Sequence, residues 1–223
     1  EIVKTTKSGR VISIGDFIIC PSQRYCINEV ISNIGLKKFT CVEGGHSCGK
    51  KELLKNVALG FNYPESTQKR IKLGSHIEYR DLVGIHVSSE TSNQFHWKKG
   101  ILTQSMIDGN FLILDSWDQS SVETCQYFTG ILDNKCLYLP NGETYSASSR
   151  FILTCTVNSE RKLNSQTKLS NNHRWQCVSI PTLNHLDIVF LLLNKFPNLK
   201  TIIPKLVDIF EEVKLISFCI LND

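Results

Sequence analysis

Short apolar runs that alternate with stretches of helical spacing are the main pattern of this chain. Three largely apolar runs, residues 39–42, 111–114 and 151–157, predict buried strands of a parallel sheet. Apolar residues recur at intervals of three and four positions from Ile27 to Ile34, before the first run, and this spacing predicts a helix. Helices are also predicted between the runs, over residues 52–59, 101–107 and 122–132. Buried strands that alternate with helices are typical of an α/β fold with a parallel sheet.

The two ends of the chain carry weaker patterns. Residues 11–14 and 17–19 predict short strands, and residues 174–180 predict a final or edge strand. Two apolar helices are expected after it, over residues 186–193 and 202–218. We therefore expect an α/β subdomain over residues 1–180 and part of a small helical lid over residues 181–223. An Asn-Gly turn at residues 141–142 predicts a β-hairpin, and the polar segment 159–172 is predicted to be mobile.

A glycine loop joins the first buried strand to the next helix. Its sequence fits G-x-x-x-x-G-K, the spacing of a phosphate-binding loop, in the required context of strand, loop and helix. The candidate nucleotide-binding residues are consecutive: Gly44, Gly45, His46, Ser47, Cys48, Gly49, Lys50 and Lys51. The hydroxyl that normally follows the lysine and holds Mg²⁺ is replaced by Lys51, whose ammonium cannot ligate a metal. From the loop alone, a glycine-rich turn that binds nothing remains an open alternative.

An acidic residue ends the second buried strand. Asp115 follows four large apolar residues, and in open α/β sheets ligands bind at the carboxyl ends of the strands. Asp115 is therefore a candidate for the acid that orders Mg²⁺. The next residue is Ser116 and not a second acid, while Asp118 and Glu123 lie nearby at unusual positions. The alternative is a strand that happens to end in an aspartate.

Composition narrows the class of protein only moderately. The chain has 223 residues, of which 41% are hydrophobic and 21% charged, and its net charge is +4. This charge allows an acidic partner but indicates no direct nucleic-acid site, and no apolar run is long enough for a membrane span. Nine cysteines without a C-x-x-C pair indicate reduced thiols in an intracellular protein. The chain begins at Glu1 and not at Met, so we expect a piece of a longer protein.

Several further segments together resemble one module of an AAA+ ATPase. The most specific are the L-V-G turn at residues 82–84, the aromatic-rich segment 95–105 and the acidic strand that ends at Asp115. More narrowly, the spacing is similar to that of a ring module of the midasin family, the dynein-related ATPases of ribosome assembly. The resemblance implies a P-loop AAA+ three-layer sandwich with a parallel sheet and a small C-terminal helical lid.

The resemblance also implies roles for individual residues. The loop from Gly44 to Lys50 would hold the phosphates of ATP, and Asp115 would order Mg²⁺. Asn158 would be the polar sensor at the end of the third strand, although a strand-end cap is the simpler interpretation of that residue alone. Arg174 would be the finger that reaches the nucleotide of a neighbouring module, or else an ordinary surface arginine. The second arginine of the family, two residues earlier, is replaced by Asn172.

Lys51 and Ser116 replace groups that would bind the metal ion and activate the attacking water. We therefore expect hydrolysis in this module to be weak or lost. The resemblance implies neighbouring AAA+ modules of the same chain as partners. It also implies action on pre-60S ribosomal particles and their assembly factors in the nucleus. The alternative is a structural or interaction module of such a ring that binds no nucleotide. An independent small phosphotransferase is disfavoured, because no acceptor-site pattern is present.

Overall fold

A parallel five-stranded sheet forms the centre of the protein in this computed structural model. The structure describes residues 2–5, 12–88, 95–139, 142–160 and 174–220. The strands, in chain order, are β1 (Lys4–Thr5), β2 (Ile12–Ile14), β3 (Phe17–Ile19), β4 (Thr40–Gly44), β5 (Gln68–Lys72), β6 (Gly84–Ser88), β7 (Phe95–Lys99), β8 (Phe111–Asp115), β9 (Cys136–Tyr138), β10 (Thr144–Ser146), β11 (Ile152–Asn158) and β12 (Gln176–Ile180). The central sheet has the order β12-β4-β11-β8-β5, with every pair parallel.

Helices follow most of the central strands. They are α1 (Arg24–Gly35), α2 (Lys50–Gly60), α3 (Tyr79–Val83), α4 (Ile101–Asp108), α5 (Val122–Asn134), α6 (His185–Lys195) and α7 (Ile203–Ile220). The glycine loop leads directly into α2, and the acidic strand β8 is followed by α5 after a short 3-10 turn. A strand followed by a helix that returns to the sheet is the connection that parallel pairing requires.

Helices cover both faces of the sheet, because alternate residues of each buried strand point to opposite sides. In β8, Phe111 and Ile113 pack with residues of α1 and α2, whereas Leu112 and Leu114 pack with residues of α4 and α5. All five residues of β8 are buried, including Asp115. The expected three-layer α/β arrangement with a parallel sheet is confirmed.

Three cysteines lie side by side across the sheet. Cys41 of β4 is in register with Cys155 of β11 on one side and with Cys177 of β12 on the other. The thiols of Cys41 and Cys177 and the carboxylate of Glu43 have donor atoms within 4.8 Å of one another. Burial raises the pKa of Cys155, and a hydrogen bond with Cys155 raises the pKa of Cys41. Since thiolates and not thiols ligate metals, we interpret these three cysteines as neutral, packed thiols and not as a metal site.

Three smaller antiparallel sheets are separate from the central sheet in the described part of the chain. The two short strands predicted near the start, β2 and β3, form an antiparallel meander together with β1, which was not predicted. β9 pairs with β10 in the predicted hairpin. The aromatic-rich segment forms a second antiparallel pair, β6 with β7, in which Trp97 and His86 are in edge contact. The following lie outside the described residues: Val11, Asn141 of the predicted turn, and residues 161–172 of the predicted mobile segment.

The two final helices extend beyond the last strand. α6 begins with a capping box in which Asn184 and Asp187 exchange hydrogen bonds between side chain and backbone. The buried Asp187 also accepts a hydrogen bond of 2.5 Å from the Ser22 hydroxyl, which joins the start of α6 to the turn before α1. The division of the chain at residue 180 stays a prediction. Among the described residues, no helix combines the length and the apolarity needed to cross a bilayer.

Candidate functional site

The glycine loop, the acidic strand and the third buried strand meet at one end of the sheet. Because β4, β8 and β11 are parallel neighbours, their carboxyl ends lie along the same edge. A cavity of about 520 Å³ opens there. Its lining includes every residue of the loop from His46 to Lys51, together with Arg70, Lys72, Asp115, Ser116, Thr156 and Asn158. The central expectation from the sequence, that the loop and Asp115 converge, therefore agrees with the geometry.

Two glycines give the loop its close approach to the sheet. Gly49 precedes α2 with a φ of 85°, a conformation that residues with a side chain rarely adopt. At Gly44, an added Cβ would lie 2.6 Å from the carbonyl oxygen of Ile180 and 2.8 Å from the Cys48 sulfur. The loop is thus folded tightly against β12, and the amino end of α2 faces the cavity as an anion-binding site would require.

Cys48 fills the space beneath the loop. Its side chain is buried and packs within the apolar cluster between the sheet and the helices α1 and α2. The Lys50 ammonium lies 3.7 Å from its sulfur. This placement favours the interpretation of Cys48 as a loop filler over that of a reactive thiol.

The Lys50 side chain is hydrogen-bonded to the backbone of the glycine loop. Its ammonium donates hydrogen bonds to the carbonyl oxygens of Gly44 at 2.8 Å and of Gly45 at 2.6 Å. These are neutral acceptors, and a phosphate oxygen would be a stronger, charge-assisted one. Lys50 therefore stands at the mouth of the loop with partners that a phosphate can replace.

Lys51 occupies a different position, beside the acidic strand. Its ammonium forms an ion pair of 2.9 Å with Asp115 Oδ2, and Arg70 of β5 donates to the same oxygen at 2.8 Å. The other oxygen, Oδ1, accepts a hydrogen bond of 2.8 Å from the Thr156 hydroxyl. Asp115 is 1% exposed, so these three groups satisfy a carboxylate that has almost no access to water.

The electrostatics of Asp115 follow from those contacts. Burial by itself would raise the pKa of this carboxyl. The hydrogen bonds from Lys51, Arg70 and Thr156 outweigh burial, and the pKa of Asp115 lies below its ordinary value. Asp115 is therefore ionised at neutral pH, but its charge is already balanced by two cations of the chain.

This arrangement does not fit Mg²⁺ at Asp115. Mg²⁺ needs oxygen ligands at about 2.0–2.1 Å in near-octahedral geometry, whereas the group next to this carboxylate is an ammonium, which has no lone pair. Ser116, which replaces the second acid, uses its backbone N–H to donate to the Thr156 hydroxyl. The prediction that Asp115 orders a metal is thus not supported by the contacts around it.

The remaining predicted residues divide between the two ends of the sheet. Asn158 lies at the cavity, beside Gly44 in the register of β11 and β4, and its side-chain oxygen accepts from the Glu160 N–H. Arg174 precedes β12 and so lies at the opposite, amino-terminal edge, where it forms an ion pair with Asp133 of α5. Arg174 is outside the cavity of its own chain, and its role as a finger for a neighbouring module stays a prediction.

Sequence reasoning missed Arg70 and Thr156 as partners of Asp115. Both lie on strands adjacent to β8, and only the order of the strands in the sheet brings them to that carboxylate. The available signal was weak: a threonine within the largely apolar run 151–157, and an arginine at the start of residues 70–73, a short segment whose sequence also predicts a strand.

Comparison with known proteins agrees with this architecture. Residues 39–174 match the family model described as the AAA domain of the dynein-related subfamily. The chain is 27% identical over 189 residues to Midasin of Dictyostelium discoideum and 24% identical over 184 residues to Midasin of Giardia intestinalis. These matches cover 82% and 81% of the chain, but only 3% and 4% of the relatives. The chain therefore spans a small part of their length.

A solved structure shows the same fold. The crystal structure of an inferred ATPase from Cytophaga hutchinsonii aligns with 82% of this chain and 53% of its own, with a TM-score of 0.57. At 17% identity this likeness concerns the fold alone.

Proposed function

Because this chain belongs to the dynein-related subfamily of AAA domains and is a midasin-like AAA module, we propose that it binds ATP and hydrolyses it slowly or not at all. The observation that carries this proposal is the convergence of residues 46–51, Asp115 and Asn158 on one cavity of about 520 Å³. That volume lies within the range of small-molecule sites. The loop geometry and the Lys50 ammonium fit a polyphosphate, whereas Ser116 occupies the position of the acid that would activate water.

The residues around the cavity explain why hydrolysis is expected to be slow. Phosphoryl transfer to water depends on a metal that neutralises developing charge and on a group that orients the attacking water. Asp115 is paired with Lys51 and Arg70, and the second carboxylate that lines the cavity, Glu52, accepts a hydrogen bond of 2.9 Å from Asn56. These contacts of the lining residues favour binding of a nucleotide over its hydrolysis.

The wider role that we propose is that of the longer protein which contains this module. We propose that the module sits beside other AAA+ modules of the same chain, in a midasin-like ATPase that removes assembly factors from pre-60S ribosomal particles in the nucleus. This part rests on the likeness to the two midasins. Exposed apolar residues on α7 favour contact with a further module: Leu206, Ile209, Phe210 and Val213 are each at least half exposed.

One observation favours an alternative, a module that binds no nucleotide and serves as a structural part of a ring. Lys50 and Lys51 already have partners within the chain, so the loop is satisfied without a ligand. Under this alternative, the cavity would persist as a remnant of the fold.

A binding measurement separates the two functions. We expect the chain to bind a fluorescent ATP analogue, and Lys50→Ala to weaken that binding by about tenfold or more, because a charge-assisted contact to phosphate is lost. The matched control is Lys55→Ala, which removes the same charge from the same helix at a residue outside the lining of the main cavity. Equal affinity of the original chain and Lys50→Ala, or no binding by the original chain, would favour the structural alternative.

A further inference from the structure

Lys51 lies where a phosphate-loop protein places the residue that holds its metal ion. In G-x-x-x-x-G-K-[ST], the hydroxyl after the lysine binds Mg²⁺ near the acid of the neighbouring strand. Here the residue at that position reaches the acid directly, since the Lys51 ammonium is 2.9 Å from Asp115 Oδ2. A positive charge is therefore present beside the acidic strand without any bound metal.

Cationic residues outnumber acidic residues in the lining of the cavity. Four of its lining residues are cationic, namely Lys50, Lys51, Arg70 and Lys72, and two are acidic, namely Glu52 and Asp115. Free ATP carries about four negative charges at neutral pH, because each of its two inner phosphates carries about one and its terminal phosphate carries close to two. A divalent ion would cancel half of that charge, and it would meet four cations of the protein on entering the cavity.

Lys51 is also able to serve a ligand. Asp115 is 1% exposed, but the Lys51 side chain is 50% exposed and so borders the open cavity. A lysine ammonium has three donors on a flexible stem. One donor can remain on Asp115 while another reaches a phosphate oxygen in the cavity.

We infer that the Lys51 ammonium substitutes for Mg²⁺ in this module, so that the cavity takes a metal-free nucleoside triphosphate. This inference rests on the proposed nucleotide binding and specifies the form of the ligand. Asp115 acts as a positioning residue: it holds Lys51 by an ion pair and does not order a metal. Arg70 shares the same carboxylate oxygen and keeps Asp115 ionised.

The test is a calorimetric titration of the chain with a non-hydrolysable ATP analogue, once in excess magnesium chloride and once in excess EDTA. For the original chain, we expect the affinity in EDTA to equal or exceed that in magnesium, because the tethered ammonium already supplies the cation. For Lys51→Thr, which restores the hydroxyl of the motif, we expect about a tenfold loss in EDTA and a partial recovery when magnesium is added.

Two further variants keep the result interpretable. Lys51→Arg preserves the cation and should retain binding in EDTA. Lys55→Thr makes the same change one helical turn later, outside the lining of the main cavity, and should behave like the original chain. Melting curves of all variants establish that each one is folded.

The possible outcomes distinguish this inference from the function on which it rests. Binding by the original chain only in magnesium would overturn the substitution by Lys51 and leave nucleotide binding intact. Binding in neither condition would overturn both. If Lys51→Thr is folded and binds the analogue as tightly as the original chain does, both with and without magnesium, Lys51 has no such role.

Discussion

Replacing Asp115 by asparagine tests the network at the cavity most directly. The buried carboxylate is the common partner of Lys51, Arg70 and Thr156, at 2.8 to 2.9 Å from each. Asparagine has nearly the same shape but carries no charge, so Asp115→Asn leaves two cations facing a neutral amide. We expect a loss of stability at neutral pH that comes from electrostatics and not from packing.

The size of the loss follows from the exposure of the partners. A hydrogen bond to a charged group contributes about 1.5–3 kcal/mol to stability, which gives an upper bound near 3–6 kcal/mol for the two cations. The side chains of Lys51 and Arg70 are both 50% exposed, so they regain water when the carboxylate is removed. We therefore expect a decrease of about 1–2 kcal/mol in the free energy of unfolding. For a domain of this size this corresponds to about 2–8 °C in Tm.

The dependence of this loss on pH identifies its cause. The pKa of Asp115 is lowered in the folded chain, so its contribution to stability is complete above the ordinary value near 3.9 for an unfolded aspartate. It is lost as the pH falls through the folded pKa. The difference in stability between the original chain and Asp115→Asn should thus be constant from about pH 7 to pH 5 and shrink below about pH 4.

The assay is urea or thermal unfolding of both proteins across that range of pH. Asp108→Asn is the matched control, because Asp108 is an exposed acid at the end of α4 that accepts a hydrogen bond from the nearby Gln104 amide. We expect the control to change stability by less than about 0.5 kcal/mol. The reasoning is refuted if Asp115→Asn is as stable as the original chain at pH 7, or if its deficit is undiminished in acid.

Two further predictions concern the loop and the opposite edge of the sheet. Gly44→Ala should weaken ATP-analogue binding and lower stability by about 1–3 kcal/mol, because the added Cβ would lie 2.6 Å from the Ile180 carbonyl oxygen. Gly130→Ala is the control: its added methyl group has room within α5, and the change should raise stability by about 1 kcal/mol. Similar effects of Gly44→Ala and Gly130→Ala on unfolding would contradict the packing described for Gly44. Arg174→Ala should cost less than about 1 kcal/mol, since its ion pair with Asp133 is partly exposed. Arg174→Ala should also leave the affinity of the chain for the ATP analogue unchanged. A tenfold loss of that affinity would instead place Arg174 at the cavity of its own chain.

The elements that the sequence predicted well are those with strong local patterns. β8 is predicted at its observed bounds, because four large apolar residues followed by an acid leave few alternatives for a buried strand. α1 and α4 follow from apolar spacing, and each has an end marked by glycine, at Gly35 and Gly109. The motif of the glycine loop predicted its place between β4 and α2, since strand, turn and helix signals are adjacent in the chain.

The partners of Asp115 could not be predicted in the same way. Arg70 is 45 residues before Asp115 in the sequence and Thr156 is 41 residues after it. They meet because β5 and β11 flank β8 in the sheet, and no local pattern encodes the order of strands. The sequence indicated that Lys51 cannot hold a metal, but not that its ammonium reaches the acid.

The sequence by itself determined the class of fold, the position of the glycine loop and the presence of Lys51 and Ser116 where the motifs call for a hydroxyl and a second acid. These are local properties, because hydrophobic spacing and the chemistry of a single side chain do not depend on distant residues. Only the tertiary structure decided that Asp115 is neutralised by Lys51 and Arg70 and that Arg174 lies at the far edge of the sheet. Parallel pairing joins strands that are distant in the chain, so the charges that meet at the cavity are set by topology.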